Sequence, residues 1–175
     1  MNNERLQLIQ PTEILRQEFL AFRAEFPPNE EVPGLGSMNT GNFDVDVRNA
    51  LNHAKGIGLR DGWVPAHTFW LVRNERTILG VLNLRHSLTS FLELEGGHIG
   101  YSVRPSERGK GYATRMLAMA LDEARRLGMK RVLITCDQRN IASARVIQKN
   151  GARLENEVAS HLPGREVTQR YWIEL

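Results

Sequence analysis

Residues 103–114 read VRPSERGKGYAT, and this stretch decides the fold. It joins a strand predicted at residues 98–103 to a long helix predicted at residues 113–127, where apolar side chains recur every three or four positions until Gly128. A short apolar run at residues 132–136 predicts a second, buried strand. Strand, helix and strand in this order form a βαβ unit, so we expect the two strands to be parallel.

Other predicted elements surround this unit without a linker or repeat between them. In chain order they are a strand at 6–9, a helix from Pro11 to about Phe26, a surface loop at 27–36, a weaker helix at 44–53, a hairpin of strands at 67–72 and 78–84, a short helix at 141–148, and a terminal hairpin that turns at Pro163-Gly164. This pattern predicts one α/β domain over residues 1–175, with a mixed, mostly antiparallel sheet, a central parallel pair and flanking helices.

Composition and charge argue against several classes of protein, among them membrane-spanning, disulfide-linked and nucleic-acid-binding proteins. The chain of 175 residues is 41% hydrophobic and 25% charged, without an apolar run near the roughly 20 residues that cross a bilayer. Its first residues lack the apolar stretch of a signal peptide, so we expect a cytoplasmic protein. The single cysteine, Cys136, excludes an internal disulfide, and no histidines or cysteines show metal-ligand spacing. The net charge of +3 is scattered, unlike that of a nucleic-acid surface.

The segment between strand and long helix has the features of an anion site. Backbone N–H groups in the first turn of a helix, with a dipole worth about +0.5 charge, attract phosphates. Gly109 and Gly111 lack the β-carbons that would keep a diphosphate away from the backbone. Arg108 and Lys110 add positive charge.

Two other phosphate-binding motifs fit less well. A P-loop needs Ser or Thr after its lysine, but Gly111 follows Lys110, and Arg104 stands where the first glycine belongs. A Rossmann fingerprint needs a third glycine where Thr114 stands, and little chain remains for its later strands. Asp137, after the next strand, could imitate the ribose-binding acid, so this alternative is weakened but stays open.

The pattern Arg108-x-x-Gly111-x-Ala113 after a strand resembles the acyl-CoA-binding motif of the GNAT superfamily of N-acyltransferases. Asn140-x-x-Ser143, with Gly151 after the short helix, resembles the second conserved segment of that family. The resemblance extends over essentially the whole chain.

This resemblance implies acetyl-CoA as cosubstrate and places its parts. The backbone around Ser102 and Val103 would bind the pantetheine arm, and Asn140 and Ser143 would line the cleft between the parallel strands. The residues implied to hold the pyrophosphate are Arg108, Gly109, Lys110, Gly111, Tyr112, Ala113 and Thr114.

Acyl transfer to an amine needs a proton acceptor and benefits from a proton donor. Glu93, Glu95 and His98 lie at or before the strand that would flank the thioester, and strand alternation favours Glu95 as the base. The tyrosine that many relatives use as the acid would fall at Ile147, so Ser143, Tyr101 or water would take its place.

We therefore expect direct transfer of an acetyl group to a primary amine of a small molecule or peptide. A homodimer is a further expectation. The alternative is a noncatalytic CoA- or nucleotide-sensing module, which Ile147 favours. The sequence leaves open whether Trp63, Trp70 or Trp172 walls an acceptor pocket, and it predicts Cys136 to be a core residue.

Overall fold

The computed structural model describes residues 4–28 and 30–175; residues 1–3, and Asn29 of the predicted loop, lie outside the described ranges. The strands are β1 (Leu6–Ile9), β2 (Ala66–Arg73), β3 (Thr77–Arg85), β4 (Ile99–Val103), β5 (Arg131–Asp137), β6 (Arg153–Ala159) and β7 (Val167–Glu174). The α-helices are α1 (Arg16–Ala24), α2 (Phe43–His53), α3 (Tyr112–Arg126) and α4 (Ile141–Lys149). Each predicted strand and helix is present, with ends shifted by a few residues.

The first sheet has the order β1-β2-β3-β4 and is antiparallel throughout. Helices α1 and α2 pack aromatic side chains against one face, where Phe19 stacks on the fully buried Trp70. Helix α3 covers the other face through buried residues such as Met116, Leu117 and Ala120. Burial on both faces makes β2 and β3 almost continuously apolar, which is why hydrophobic runs predicted them.

The second sheet has the order β5-β7-β6 and is also antiparallel. Between β6 and β7 the N–H of Arg165 donates to the carbonyl of Leu162 at 3.2 Å, and Gly164 has a φ of 74°. Proline at the second position and a left-handed glycine at the third make the type II turn predicted for the terminal hairpin. None of the helices in the described ranges combines the length and apolarity needed to cross a bilayer.

Strands β4 and β5 do not form the central parallel pair expected from the βαβ pattern. They belong to different sheets and share no ladder of hydrogen bonds in the described part of the chain. They meet near one end, where the N–H of His98 donates to the carbonyl of Leu133 at 2.7 Å. The sequence pattern predicts the order of strand, helix and strand, but it carries no information on how far the two strands diverge.

Candidate functional site

Helix α3 begins without a side-chain cap. Its N-cap residue is Gly111, with a φ of 84°, and within residues 4–28 and 30–175 no side chain accepts a hydrogen bond from its first turn. By contrast, Asn42 caps α2 and Asn140 caps α4 through their side-chain oxygens. The unpartnered N–H groups at the start of α3 therefore remain available to a ligand.

The loop before α3 is exposed and leaves open space above the backbone. A β-carbon added to Gly109 or Gly111 would meet no heavy atom within 4 Å, and both glycines have positive φ. Tyr112, Ala113 and Thr114 follow in the first helical turn. Together they form a shallow concavity of main-chain amides at the positive end of a helix dipole.

The two basic side chains of this loop are partly engaged within the protein. Nε of Arg108 donates to the carbonyl oxygen of Val103 at 3.3 Å, and its guanidinium lies 5.6 Å from the ring centre of Phe26. Nζ of Lys110 donates to Glu107 at 2.8 Å, and this bond lowers the pKa of that carboxyl. The main-chain N–H groups, and not these two side chains, are therefore the principal source of positive potential in the loop.

The register of β4 decides which backbone groups face the gap towards β5. Arg85 donates its N–H to the carbonyl of His98, and Arg104 donates its N–H to the carbonyl of Leu79, each at 2.8 Å. Residues at even positions of β4 therefore bond to β3, and the N–H groups of Tyr101 and Val103 project from the free edge. Of the two residues implied to bind pantetheine, Val103 lies at this edge.

Ser102, the other residue implied to bind pantetheine, does not face the free edge of β4. Alternation directs its backbone groups to β3, opposite Val81, and its hydroxyl donates to the carbonyl of Pro33 at 2.6 Å. The loop that contains Pro33 continues across the sheet, where a β-carbon on Gly34 would lie only 2.6 Å from the carbonyl oxygen of Val81. Ser102 thus anchors the loop to the sheet.

A cavity of about 1210 Å³ opens beside the free edge of β4. Its wall includes the loop at residues 30–39, the ends of β2 and β3, and the side chains of Tyr101, Asn140 and Ser143. Trp63 also lines it, whereas Trp70 is fully buried in the core. The lining includes Ile99, Gly100 and Tyr101 of β4 and, among the described residues, none of the loop at residues 104–111.

Tyr101 and Ser143 bring two hydroxyl groups together at the inner end of this cavity. Their oxygens are 2.9 Å apart, across the gap between β4 and α4. Burial raises the pKa of Tyr101 to about 12, although the bond to Ser143 acts in the opposite direction. Asn140 holds Ser143 in place by accepting its N–H at 3.0 Å. Tyr101 therefore keeps its proton over the whole neutral range.

Ile147 and Cys136, two further residues considered for the chemistry, both lie in the hydrophobic core. Ile147 is fully buried in the core of the domain. Cys136 is buried as predicted, and burial raises the pKa of its thiol to about 11. A thiol that stays protonated is a poor nucleophile, so Cys136 is a core residue in this fold.

Glu95 is buried and tightly held. Its carboxylate accepts hydrogen bonds from Thr168 at 2.6 Å, the backbone of His161 at 2.7 Å and Ser160 at 3.0 Å, with Arg165 at 3.8 Å. Desolvation raises the pKa of Glu95, but these hydrogen bonds and the Arg165 charge outweigh it and leave the pKa below its usual range. A carboxylate with this environment is a weak proton acceptor.

The reason for favouring Glu95 from the sequence was wrong. Residues Leu92–Gly96 form a π-helical turn, so strand alternation does not extend back from β4 to Glu95. The carboxylate instead ties this turn to the β6–β7 connection. Glu93, another candidate base, is exposed.

We expect Glu95→Gln to lower the free energy of unfolding by about 1–3 kcal/mol, because an amide cannot accept all of these donors. The pH profile of any turnover should keep its shape. Urea denaturation and a pH–rate profile measure both effects, with the exposed Glu93→Gln as the control. If Glu95→Gln removes a limb of the pH profile near neutrality and leaves stability unchanged, Glu95 is the base.

His98 joins the two sheets where they meet. Besides its backbone bond to Leu133, its Nδ1 accepts the N–H of Leu133 at 2.9 Å. Burial, with the charges of Arg85 and Arg131, lowers the pKa of His98 to about 4. The imidazole is therefore neutral at neutral pH, and its accepting nitrogen is committed to the backbone.

This environment predicts a pH-dependent stability. Between pH 6.5 and about 4 the unfolded chain takes up a proton at His98 and the native state does not, so stability falls as the pH falls. The loss amounts to about 3 kcal/mol over this range. His98→Asn, whose amide oxygen can accept the same N–H, should flatten this part of the curve. The exposed His161→Asn is the control, and an unchanged slope in His98→Asn would contradict the assignment.

Sequence reasoning missed Arg85, a half-buried arginine on the cavity wall. It also missed Ser37, whose buried hydroxyl has no hydrogen-bond partner among the described residues. Neither residue could be found from the sequence, because Ser37 lies in the loop at residues 30–39 and Arg85 lies on β3, and only folding brings this loop over β3. In the described ranges, no group of three or more His, Cys, Asp or Glu residues is placed to hold a metal ion.

Three solved structures share the fold over nearly their whole length. The microcin self-immunity acetyltransferase MccE, in complex with acetyl-CoA and AMP, has a TM-score of 0.70 and 17% identity, covering 99% of this chain and 94% of its own. RimL, a ribosomal α-N-protein acetyltransferase with coenzyme A, has a TM-score of 0.71 and 17% identity, covering 97% and 94%. A chimera of the spermidine N-acetyltransferase SpeG from Vibrio cholerae and hSSAT has a TM-score of 0.65 and 15% identity, covering 97% and 95%.

Sequence comparison identifies the family. A search of curated proteins found no match. The family model described as the acetyltransferase (GNAT) domain matches residues 33–153, which include β4, the loop before α3 and α4. Because this match covers well over half of the chain, the protein belongs to the GNAT acetyltransferase family.

Proposed function

We propose that the protein is an N-acetyltransferase that transfers the acetyl group of acetyl-CoA directly to a primary amine of a small molecule or peptide. The observation that carries the proposal is the uncapped, open start of α3 beside the free edge of β4. Family membership supports the reaction, and MccE and RimL were solved with acetyl-CoA and coenzyme A respectively.

In this proposal the main chain binds the cosubstrate. The first-turn amides of α3, at Tyr112, Ala113 and Thr114, hold the pyrophosphate, and Gly109 and Gly111 permit its close approach. Lys110 reaches the phosphates by leaving Glu107, an exchange of one anionic partner for another. The pantetheine arm follows the free edge of β4, whose N–H groups at Tyr101 and Val103 need acceptors.

The transfer step uses the gap between β4 and α4. The neutral amine attacks the thioester carbonyl carbon, a C–N bond forms, and the C–S bond breaks with its electron pair on sulfur. A backbone N–H at the β4 edge polarises the carbonyl oxygen. Tyr101 donates a proton to the departing thiolate, and Ser143 returns one from solvent. The amine loses its proton to water, and no covalent enzyme intermediate is needed.

The proposal also includes the domain organisation, the compartment and the partners of the protein. Residues 1–175 act as one N-acetyltransferase domain in the cytoplasm, with amine acceptors as partners. Assembly into a homodimer is compatible with this proposal and is measured by light scattering.

Incubation with acetyl-CoA and a panel of amines, polyamines, aminoglycosides and peptides tests the proposal through release of free thiol. Thiol release that depends on an acceptor, with a product heavier by one acetyl group, supports transfer. Binding of acetyl-CoA without transfer to any acceptor would favour the sensing module instead. The burial of Ile147, where many relatives carry an acid, is the observation that keeps this second function under test.

A further inference from the structure

Arg85 places a cation inside the cavity without a carboxylate partner. Its Nη1 donates to the carbonyls of Gly96 and Gly97, each at 3.0 Å, which fixes the guanidinium at the end of β3. Among the described residues, Nε and Nη2 make no hydrogen bond, and no acid lies within ion-pair distance. The side chain is half-buried, and arginine keeps its charge even when burial lowers its pKa.

The inner acidic residues of the cavity are all committed to other groups. Glu95 accepts its donors from the β6–β7 connection, Asp137 pairs with Arg139, and the buried Asp46 accepts two hydrogen bonds from Thr40. The carboxylates that remain, on Glu30, Glu31 and Asp61, are exposed at the rim. Of these, Glu31 is beyond ion-pair distance of Arg85, but its charge raises the pKa of Arg85 in opposition to burial. Arg85 therefore presents a positive charge on the inner wall of a cavity whose lining otherwise holds more acidic than basic side chains.

Arg85 is also close to the proposed site of transfer. Its Nη2 lies 3.9 Å from the position of a β-carbon on Gly100, the residue next to Tyr101 on β4. Arg85 and Asn83 lie on the same sheet face, and Asn83 bonds to Thr68. Ser37, with its unpartnered buried hydroxyl, lines the same cavity. A guanidinium with free N–H donors is a group that recognises a carboxylate.

We propose that the acceptor is an amino-carboxylate, a primary amine with a carboxylate a few bonds away, and that Arg85 binds this carboxylate. This inference rests on the proposed function. The free Nε and Nη2 of Arg85 offer the two N–H donors of a bidentate pair. Because Gly100 belongs to β4, a carboxylate bound at Arg85 lies beside the strand whose free edge receives the thioester in the proposed function.

The same geometry works against polyamines. A second ammonium group that approached Arg85 would be repelled by the charge of its guanidinium.

Matched acceptor pairs that differ only by the carboxylate test the inference. Suitable pairs are lysine with cadaverine, serine with ethanolamine and phenylalanine with phenethylamine, assayed with acetyl-CoA by free-thiol release and product mass. We expect kcat/KM to be at least tenfold higher for the carboxylated member of the best pair. A preference for the decarboxylated members would overturn the inference and leave the proposed transferase function intact.

Substitution of Arg85 separates recognition from folding. Arg85→Gln should raise KM at least tenfold for the carboxylated acceptor and change that for its decarboxylated partner less than twofold. Arg85→Lys should recover part of the lost affinity for the carboxylated acceptor, because lysine keeps the positive charge but lacks the two parallel N–H donors of the guanidinium. Arg23→Gln, at the rim of the same cavity, is the control and should leave the ratio unchanged.

Failure of the proposed transferase function and failure of the carboxylate site give different results. Calorimetric titration with acetyl-CoA first shows whether the cosubstrate binds, which no Arg85 variant should affect. No transfer to any acceptor would count against the proposed function itself. Transfer in which Arg85→Gln affects both members of a pair equally would count against a carboxylate site and assign Arg85 to holding the turn at Gly96 and Gly97.

Discussion

Gly111→Glu is expected to abolish measurable acetyl-CoA binding, weakening it at least about a hundredfold, since one or two charge-assisted hydrogen bonds account for that factor. The backbone of Gly111 has a φ of 84°, and space is open above it, so the new carboxylate projects over the loop before α3. There it repels phosphates and competes for the amides that would hold them. Isothermal titration with acetyl-CoA measures the loss.

Gly128→Glu is the matched control for this variant. Gly128 has a φ of 78° and equally open surroundings, but it follows the other end of α3. The two variants therefore share the backbone strain, the added charge and the added volume, and differ only in position. Equal affinity in Gly111→Glu and wild type would remove the ligand from this helix start.

Tyr101→Phe should lower kcat about a hundredfold and leave the affinity for acetyl-CoA unchanged, because a positioned proton donor contributes roughly that factor or more. Ser143→Ala should produce a smaller loss, since Ser143 acts through the tyrosine hydroxyl at 2.9 Å. With a pKa of about 12, Tyr101 should produce no descending limb in the pH–rate profile below about pH 10.

Tyr171→Phe is the control for the loss of a tyrosine hydroxyl. Tyr171 is 1% exposed, and its hydroxyl donates to Gln169 at 2.7 Å, away from the cavity wall. Single-turnover measurements distinguish chemistry from product release in each variant. If Tyr101→Phe turns over as fast as wild type, water protonates the thiolate and Tyr101 only packs at the edge of β4.

The elements that sequence predicted well are those with a strong local signal. Helix α3 combines a long amphipathic pattern with Gly128 just past its end, and the terminal turn combines proline with a left-handed glycine. The turn before α3 was predictable from Gly109 and Gly111, both of which have positive φ in the structure.

Other features of the fold and the site depend on contacts between residues far apart in the sequence, which no local pattern predicts. The π-helical turn that holds Glu95 has no periodic signature in five residues, so alternation counted back from the following strand does not give the position of Glu95. Strands β4 and β5 belong to different sheets, an arrangement that no local pattern in either strand predicts. The pair Tyr101 and Ser143 is 42 positions apart in sequence, and its geometry emerged only in the folded chain.

The bare first turn of α3 has a practical corollary for handling the protein. Multivalent anions such as sulfate or pyrophosphate that settle there associate with the folded chain and not with the unfolded one, so they raise the melting temperature by mass action. At a concentration of one hundred dissociation constants the gain is about 2.7 kcal/mol. Calorimetric scans in phosphate buffer and in a zwitterionic buffer will therefore report different heat resistance for the same preparation.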